Sequence, residues 1–402
     1  MEMADGNRLL LIVDDQDVVR HTLKLCLKNI EYENVVEARD GREAKKVIAE
    51  NDVDIIFCDL NMPVEDGFEV LRYLGEIGFK GSVILISGEE EELLSSSSNL
   101  ARLYQLDILG SVQKPVSAGV VKKLIAQIET SRLTRLNAPP VPVLSANDIL
   151  HHMDVGNVKA FFQPQMDLAT RRVSGLEVLA RIVVSDSEVI YPDSFIPAAE
   201  KSLDLIQSLT KVIIKEALSE ISQNYQFLQG ITFALNISAK VLEDPQFPYW
   251  LNEVVVDYKI PQENIICELT ETALTHEQTT VDTQLLRLKI LRFKISIDDF
   301  GTGYSSIAQL HSIPFDEIKV DKRFVLDCIS NLKSRAILEQ SICMAKAMGI
   351  SVVAEGVENR DIENFLISIG CHIAQGFLYS RPDTIEPIVK YIRWTQNMLE
   401  SG

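Results

Sequence analysis

The sequence has no Cys-x-x-Cys pair and no apolar run near the ~18 residues of a membrane span. It also has too few basic residues to balance its acids. Six scattered cysteines (Cys26, Cys58, Cys267, Cys328, Cys343, Cys371) show no paired spacing. They argue against a disulfide framework or a thiolate zinc site and read as reduced core residues of a cytoplasmic protein. The histidines His21, His151, His152, His276, His311 and His372 show no ligand spacing either. The apolar stretch 9–13 runs straight into Asp14 and Asp15 and carries no cleavage pattern, so a secretory leader is not expected. Lys and Arg number 39 against 58 Asp and Glu, a net charge of −19. That excess opposes nucleic-acid backbones and anionic membranes as partners. It would repel a phosphate-bearing substrate too, unless bound metal ions reversed the local field.

What is present is a soluble globular mixture, 46% hydrophobic and 24% charged over 402 residues. The length calls for two or three domains. Up to residue 130, short apolar runs (9–13, 34–38, 54–58, 82–87, 108–113) alternate with amphipathic stretches. Five strands alternating with helices predict a doubly wound parallel sheet, an α/β fold. Residues 131–146, with Pro139, Pro140 and Pro142, break this pattern and read as an extended linker. From residue 147 to 402 eight further strand candidates follow, mostly separated by helical patterns. Eight β/α units in about 250 residues fit a closed (β/α)8, TIM-like barrel, with an open doubly wound sheet as the alternative. The serine run 95–98 reads as an exposed loop, and the acids 89–92 as a solvated face.

In such barrels chemistry sits at the C-terminal ends of strands. Here Glu177 lies within LEVLAR, Asn236 follows FAL, and Glu268 follows IIC with Glu271 three residues later. Asp298 and Asp299 follow ISI, Lys319 follows EI, Glu355 follows VVA and Gln375 follows HIA. One acid of this kind is explained by helix capping. The whole set is not, because burying so many unpaired carboxylates would cost several kcal/mol each. Five carboxylates and one amide oxygen form an all-oxygen donor set suited to Mg2+ or Mn2+. They are too many for one octahedral ion that keeps waters; two ions bridged by Asp298 would use them and hydrolyse a phosphodiester. On this reading Asp298 and Asp299 tolerate adjacency because two divalent cations neutralise them.

These blocks resemble the EAL-domain phosphodiesterases, which open cyclic di-GMP to linear pGpG. The similarity runs over about 147–398 and includes Glu177-Val178-Leu179 (valine for the usual alanine), FQPQ (162–165), LNIS (235–238), ELTET (268–272), DDFGTGYSS (298–306), IKVDK (318–322), AEGVE (354–358) and AQGF (374–377). The resemblance implies that Glu177, Asn236, Glu268, Asp298, Asp299 and Glu355 hold two metals, with Glu177, Glu271, Lys319 and Glu355 catalytic. Lys319 would sit by the nucleophilic water and Glu271 would anchor the loop 300–306. Arg181 would grip a substrate phosphate, while Gln163, Leu179 and Gln375 would line the substrate groove. One antiparallel strand is expected in the barrel. Glu200 and Glu358 are read as structural.

In the first domain Asp14 and Asp15 end the first strand, Asp59 the third, Ser87 the fourth and Lys114 the fifth. A parallel doubly wound sheet brings these ends to one edge, an oxygen site for one Mg2+. Helix capping would explain one or two of these residues but not the lysine. Residues 8–128, with VDDQ (13–16), CDLNMP (58–63), Gly67 and QKP (113–115), resemble the receiver domain of two-component response regulators. By that resemblance Asp59 accepts a phosphoryl group from a cognate histidine kinase. Asp14, Asp15 and the Asn61 carbonyl help hold Mg2+, Lys114 pairs with the phosphoryl oxygens, and Ser87 follows the phosphate. Ser111 stands where many receivers carry an aromatic switch residue. The expectation is a cytoplasmic response regulator whose output is cyclic di-GMP hydrolysis, gated at Asp59; relatives suggest a homo-oligomer. A catalytically inactive cyclic di-GMP receptor is the rival. A transcription factor lacks any spare helix-turn-helix segment.

Overall fold

The structure, a computed structural model, describes residues 8–88, 106–126, 144–185, 188–271, 278–301, 310 and 312–400. The acidic run 89–92, the serine run 95–98 and the proline-rich segment up to 143 lie outside the described residues. The chain divides into two compact units, 1–140 and 141–402.

The first unit is a five-stranded sheet in the order β2-β1-β3-β4-β5, parallel throughout. Its strands are β1 (Leu10–Val13), β2 (Val35–Ala38), β3 (Ile55–Asp59), β4 (Ser82–Ser87) and β5 (Asp107–Gln113). Strand alternation explains the continuous apolar runs. Leu11, Val13, Ile56, Cys58, Val83 and Leu85 enter one buried cluster, while Leu10, Ile12, Ile55, Phe57, Ile84 and Ile86 enter another. The sheet is therefore covered on both faces. Asp40 and Asp66 cap the helices Gly41–Glu50 and Gly67–Glu76 by accepting from the backbone N–H three residues on. Gly67 is required by space, since a Cβ there would lie 2.2 Å from the Asp59 carbonyl oxygen.

In the second unit eight strands form a closed ring: β6 (Val158–Asp167), β14 (Ile373–Gln375), β13 (Ser351–Ala354), β12 (Glu317–Val320), β11 (Lys294–Phe300), β10 (Ile265–Thr270), β9 (Thr232–Asn236) and β7 (Val173–Ser185), which returns to β6. β6 is antiparallel to both its neighbours, and the other ring pairings are parallel. The closed barrel and its reversed strand agree with the expectation from sequence. β7 continues past the ring into a hairpin with the short β8 (Glu188–Ile190), which the sequence reading did not separate. Helices such as Leu203–Asn224, Leu332–Met348 and Ile385–Glu400 follow the strands, and a helix at Ala146–Asp154, capped reciprocally by Ser145 and Asp148, precedes the barrel. One large apolar cluster joins strands and helices. No helix among the described residues is long and apolar enough to cross a membrane.

Candidate active site

The parallel strands end at one rim, and there the acids converge on a lysine. Lys319, on β12, is completely buried. Its Nζ lies 2.8 Å from Glu355 Oε1, 3.1 Å from Glu268 Oε2, 3.2 Å from Glu177 Oε1 and 3.4 Å from Asp298 Oδ1. Asn236, at the end of β9, donates from Nδ2 to Glu177 Oε1 at 3.2 Å. Gln375, at the end of β14, donates to Glu177 Oε2.

Consecutive strand residues normally face opposite sides of a sheet. A bulge overcomes this at Asp298-Asp299. Ile297 pairs with Ile318 and Phe300 with Val320, so the two aspartates together oppose Lys319. Asp299 adopts φ 56°, a left-handed conformation that aspartate tolerates better than most residues. The result is a cluster in which Asp298, Asp299 and Glu355 each place a carboxylate oxygen within 4.8 Å of the others. At the start of the next loop, Gly301 N donates to Glu271 Oε2 at 3.0 Å. Residues 302–309 lie outside the described residues.

Five carboxylates face one ammonium, so with all five ionised four negative charges would stay uncompensated among these residues. The proton affinities register this. Burial pushes Glu355 up to about 8 against the pull of Lys319. Burial and then Asp298 push Asp299 up to about 6. Glu268 is raised well above the carboxylate range by burial, and its buried Oε1 has no hydrogen-bond partner. Burial also opposes ionisation of Glu177, but Lys319 and the Gln375 and Asn236 amides outweigh it, and its pKa is lowered. Burial works against the charge on Lys319, yet the surrounding acids hold it firmly protonated. A hard, all-oxygen donor set with surplus negative charge and an orphaned carboxylate oxygen fits divalent cations of the Mg2+ or Mn2+ type.

A cavity of about 910 Å3 opens beside this cluster, lined by Glu177, Leu179, Asn236, Glu268 and Asp298 and, farther off, by an apolar wall including Ile206 and Ile213. Arg181 stands off the carboxylates. It donates to the Ala180 carbonyl at 2.7 Å and packs over the Tyr191 ring, 4.9 Å from its centroid. Gln163 donates to the Ser380 carbonyl at 3.1 Å. Glu200 accepts from Ser238 Oγ at 2.7 Å.

Three residues escaped the sequence reading. Asp321 directly follows β12, caps the next helix through Arg323 N, and shares a hydrogen bond with Asp299. The strand-end rule used for the other acids would have found it. Glu317 is buried beneath Lys319 in the strand and is pushed up to about 7 by burial. Gln165 is buried beside Gln375.

In the first unit Asp14, Asp15 and Asp59 form a second acidic cluster, again with carboxylate oxygens within 4.8 Å of one another. Lys114 Nζ lies 2.7 Å from Asp59 Oδ2 and 2.9 Å from Asp14 Oδ2. Burial raises the Asp59 pKa against the pull of Lys114. Burial disfavours the Lys114 charge, but its bonds to Asp59 and Asp14 prevail and its pKa is raised. Asn61 N approaches Asp59 Oδ1 at 3.4 Å. The side chains of Ser87 and Ser111 lie outside the described part of the structure.

Comparison with known proteins gives a consistent result. The EAL domain family matches residues 146–382, and the response regulator receiver domain family matches residues 10–126. Cyclic di-GMP phosphodiesterase RocR of Pseudomonas aeruginosa is 31% identical over 375 residues, covering 93% of this chain and 95% of that protein. Among solved structures, the PaMucR phosphodiesterase in complex with c-di-GMP is 27% identical with a TM-score of 0.57, covering 60% of this chain and 98% of its own. An EAL domain protein from Listeria monocytogenes is 26% identical with a TM-score of 0.55, covering 62% of this chain and 98% of its own.

Proposed function

This chain belongs to the EAL domain family and carries a response regulator receiver domain ahead of the barrel, and from that premise we propose that it is a phosphodiesterase that hydrolyses cyclic di-GMP to linear pGpG by a two-metal mechanism, modulated by phosphorylation of Asp59. The observation that carries the reading is the rim itself: five carboxylates and Asn236 around one buried lysine, beside a cavity of nucleotide size. Glu177, Asn236, Glu268, Asp298, Asp299 and Glu355 would hold two Mg2+ or Mn2+ ions. Such ions supply Lewis acidity and a hydroxide at neutral pH, the chemistry of in-line phosphodiester cleavage.

The chain's own groups do the rest. Lys319 is held protonated by its neighbours, so it serves as a fixed positive charge toward the phosphorane-like transition state and not as a base. Arg181, a rigid fork resting on Tyr191, offers its free N–H groups to a substrate phosphate. Glu271 fixes the start of the loop at Gly301. Leu179 lines the cavity, and Gln163 and Gln375 would line the approach to it. Purified protein with Mn2+ or Mg2+ should convert cyclic di-GMP to pGpG on a chromatographic assay, and Glu177→Ala should lower turnover by about a thousandfold or more. A wild-type protein that binds the dinucleotide but leaves it cyclic with both metals would sink the enzymatic reading and favour the receptor.

For the first unit, the Asp59 carboxylate attacks a phosphohistidine of the cognate kinase to give an acyl phosphate. Asp14, Asp15 and the Asn61 carbonyl would hold one Mg2+ there, Lys114 neutralises the phosphoryl oxygens, and Ser87 follows them. We assign residues 1–130 to this receiver, 131–146 to a linker and 147–402 to the phosphodiesterase, acting in the cytoplasm as a homo-oligomer. Turnover should change on adding beryllofluoride with Mg2+, and Asp59→Asn should remove that response. A response that persists in Asp59→Asn would refute control at this residue.

A further inference from the structure

The barrel closes at the strand that runs backwards. β6 meets β7 on one side and β14 on the other, with Gln165 opposite Gly175 and Gln375, and Gln163 opposite Glu177. Gln165 is 1% exposed, Gln375 4% and Gln163 7%. Their amides form a directed chain. Gln165 Nε2 donates to Gln375 Oε1 at 3.1 Å; Gln375 Nε2 donates to Gln163 Oε1 at 3.0 Å and to Glu177 Oε2.

Chemistry forces the direction. An ionised carboxylate only accepts, so the Gln375 amino group must face Glu177. The Gln375 carbonyl then points away, at a buried spot where an acceptor without a donor is costly. Gln165 supplies that donor. Room for it comes from Gly175, where a Cβ would fall 2.3 Å from Gln165 Oε1. Without the Gln165 donor the Gln375 carbonyl would be buried unpaired, and the amide would lose the contact that holds it from that side.

We propose that Gln165 is a positioning residue for metal binding: by setting the orientation of Gln375 it saturates Glu177 Oε2 and leaves Oε1, the oxygen next to Asn236 and Lys319, directed at a divalent cation. This rests on the phosphodiesterase reading above. It also places Gln375 behind a metal ligand, beyond the substrate-lining role that the resemblance implies for it.

The test uses the full-length chain and Mn2+ binding followed by electron paramagnetic resonance, independent of turnover. Gln165→Leu has neither donor nor acceptor and strips Gln375 Oε1 of its partner; its Mn2+ affinity should fall about tenfold, the usual scale for residues that orient a ligand from behind. Gln165→Met, closer to glutamine in shape and also without a donor, should show a fall of the same size. In both, raising Mn2+ should restore turnover while KM for cyclic di-GMP stays at the wild-type value. Unchanged Mn2+ affinity in both variants, or a raised KM that excess Mn2+ does not correct, overturns the proposal. Should Gln165→Leu fail to fold by circular dichroism, Gln165→Met decides by the same criteria. Wild type that itself binds no Mn2+ overturns the phosphodiesterase reading; wild type that binds and turns over beside unaffected variants overturns this inference alone.

Discussion

The two units solve the same electrostatic problem with lysines at different depths. Each gathers acids at the C-terminal ends of parallel strands and sets a single lysine among them. In the first unit Lys114 keeps a side chain 15% exposed and touches two carboxylates, leaving two negative charges over among Asp14, Asp15 and Asp59. In the barrel Lys319 is wholly buried, touches four, and leaves four charges over. The surpluses match one divalent ion and two. The difference lies in the lysine and not in the acids: Asp14 and Asp59 are as buried as Glu268, and an ammonium shut away from water acts more strongly on the charges it faces.

The contrast is open to attack from its strongest point downward. Lys319→Met should lower turnover by about a thousandfold and, in EDTA, cost about 3–5 kcal/mol in urea unfolding, as when one partner of a buried charge cluster is removed. Mn2+ should restore most of the stability but not the rate. A variant as stable as wild type in EDTA would show that the barrel acids are not held by that ammonium. Next, the metal-free protein should lose stability as pH rises from about 5 to 8. Glu355, Glu317 and Asp299 are raised to about 8, 7 and 6 from 4.5, 4.5 and 3.8, so the folded state holds protons that the unfolded state releases. Their contribution is complete below the unfolded values and disappears as pH passes the folded ones; Glu177, lowered, works in the opposite sense. A fall of about 5 °C in melting temperature over that range in EDTA, flattened by Mn2+, is the expected scale. A flat profile without metal would contradict the account of the rim. The smallest effect belongs to the first unit: Lys114→Met should cost about 2 kcal/mol, since that lysine is partly exposed and touches two carboxylates instead of four. A loss equal to that of Lys319→Met would erase the distinction between the two sites.

Much of this was legible in the residues. Apolar runs such as 9–13 and 54–58 are too continuous for half-exposed strands and announce a sheet covered on both faces. Acids at strand ends announced the rim, and the family resemblance added Arg181, which no spacing rule would have singled out. What the sequence hid depends on geometry it does not encode locally. Asp298 and Asp299 belong on opposite faces by strand periodicity, and only the bulge reconciles them. Glu317 follows Asp316 and looks like a surface acid, yet lies under Lys319. Gln165 gains meaning only from a partner 210 residues away. The β7–β8 hairpin was missed because β8, Glu188–Ile190, has only three residues, too few for a periodic pattern.

The bulge at Asp298-Asp299 has one more consequence. Pairing is regular on either side of it, with Ile297 against Ile318 and Phe300 against Val320. The extra residue is thus a graft onto an otherwise continuous ladder. Deleting residue 299 would leave Phe300 in the core and every neighbouring rung in place, and would remove one carboxylate. A barrel of this kind can gain or shed a carboxylate at its rim by a single codon, without renegotiating its fold.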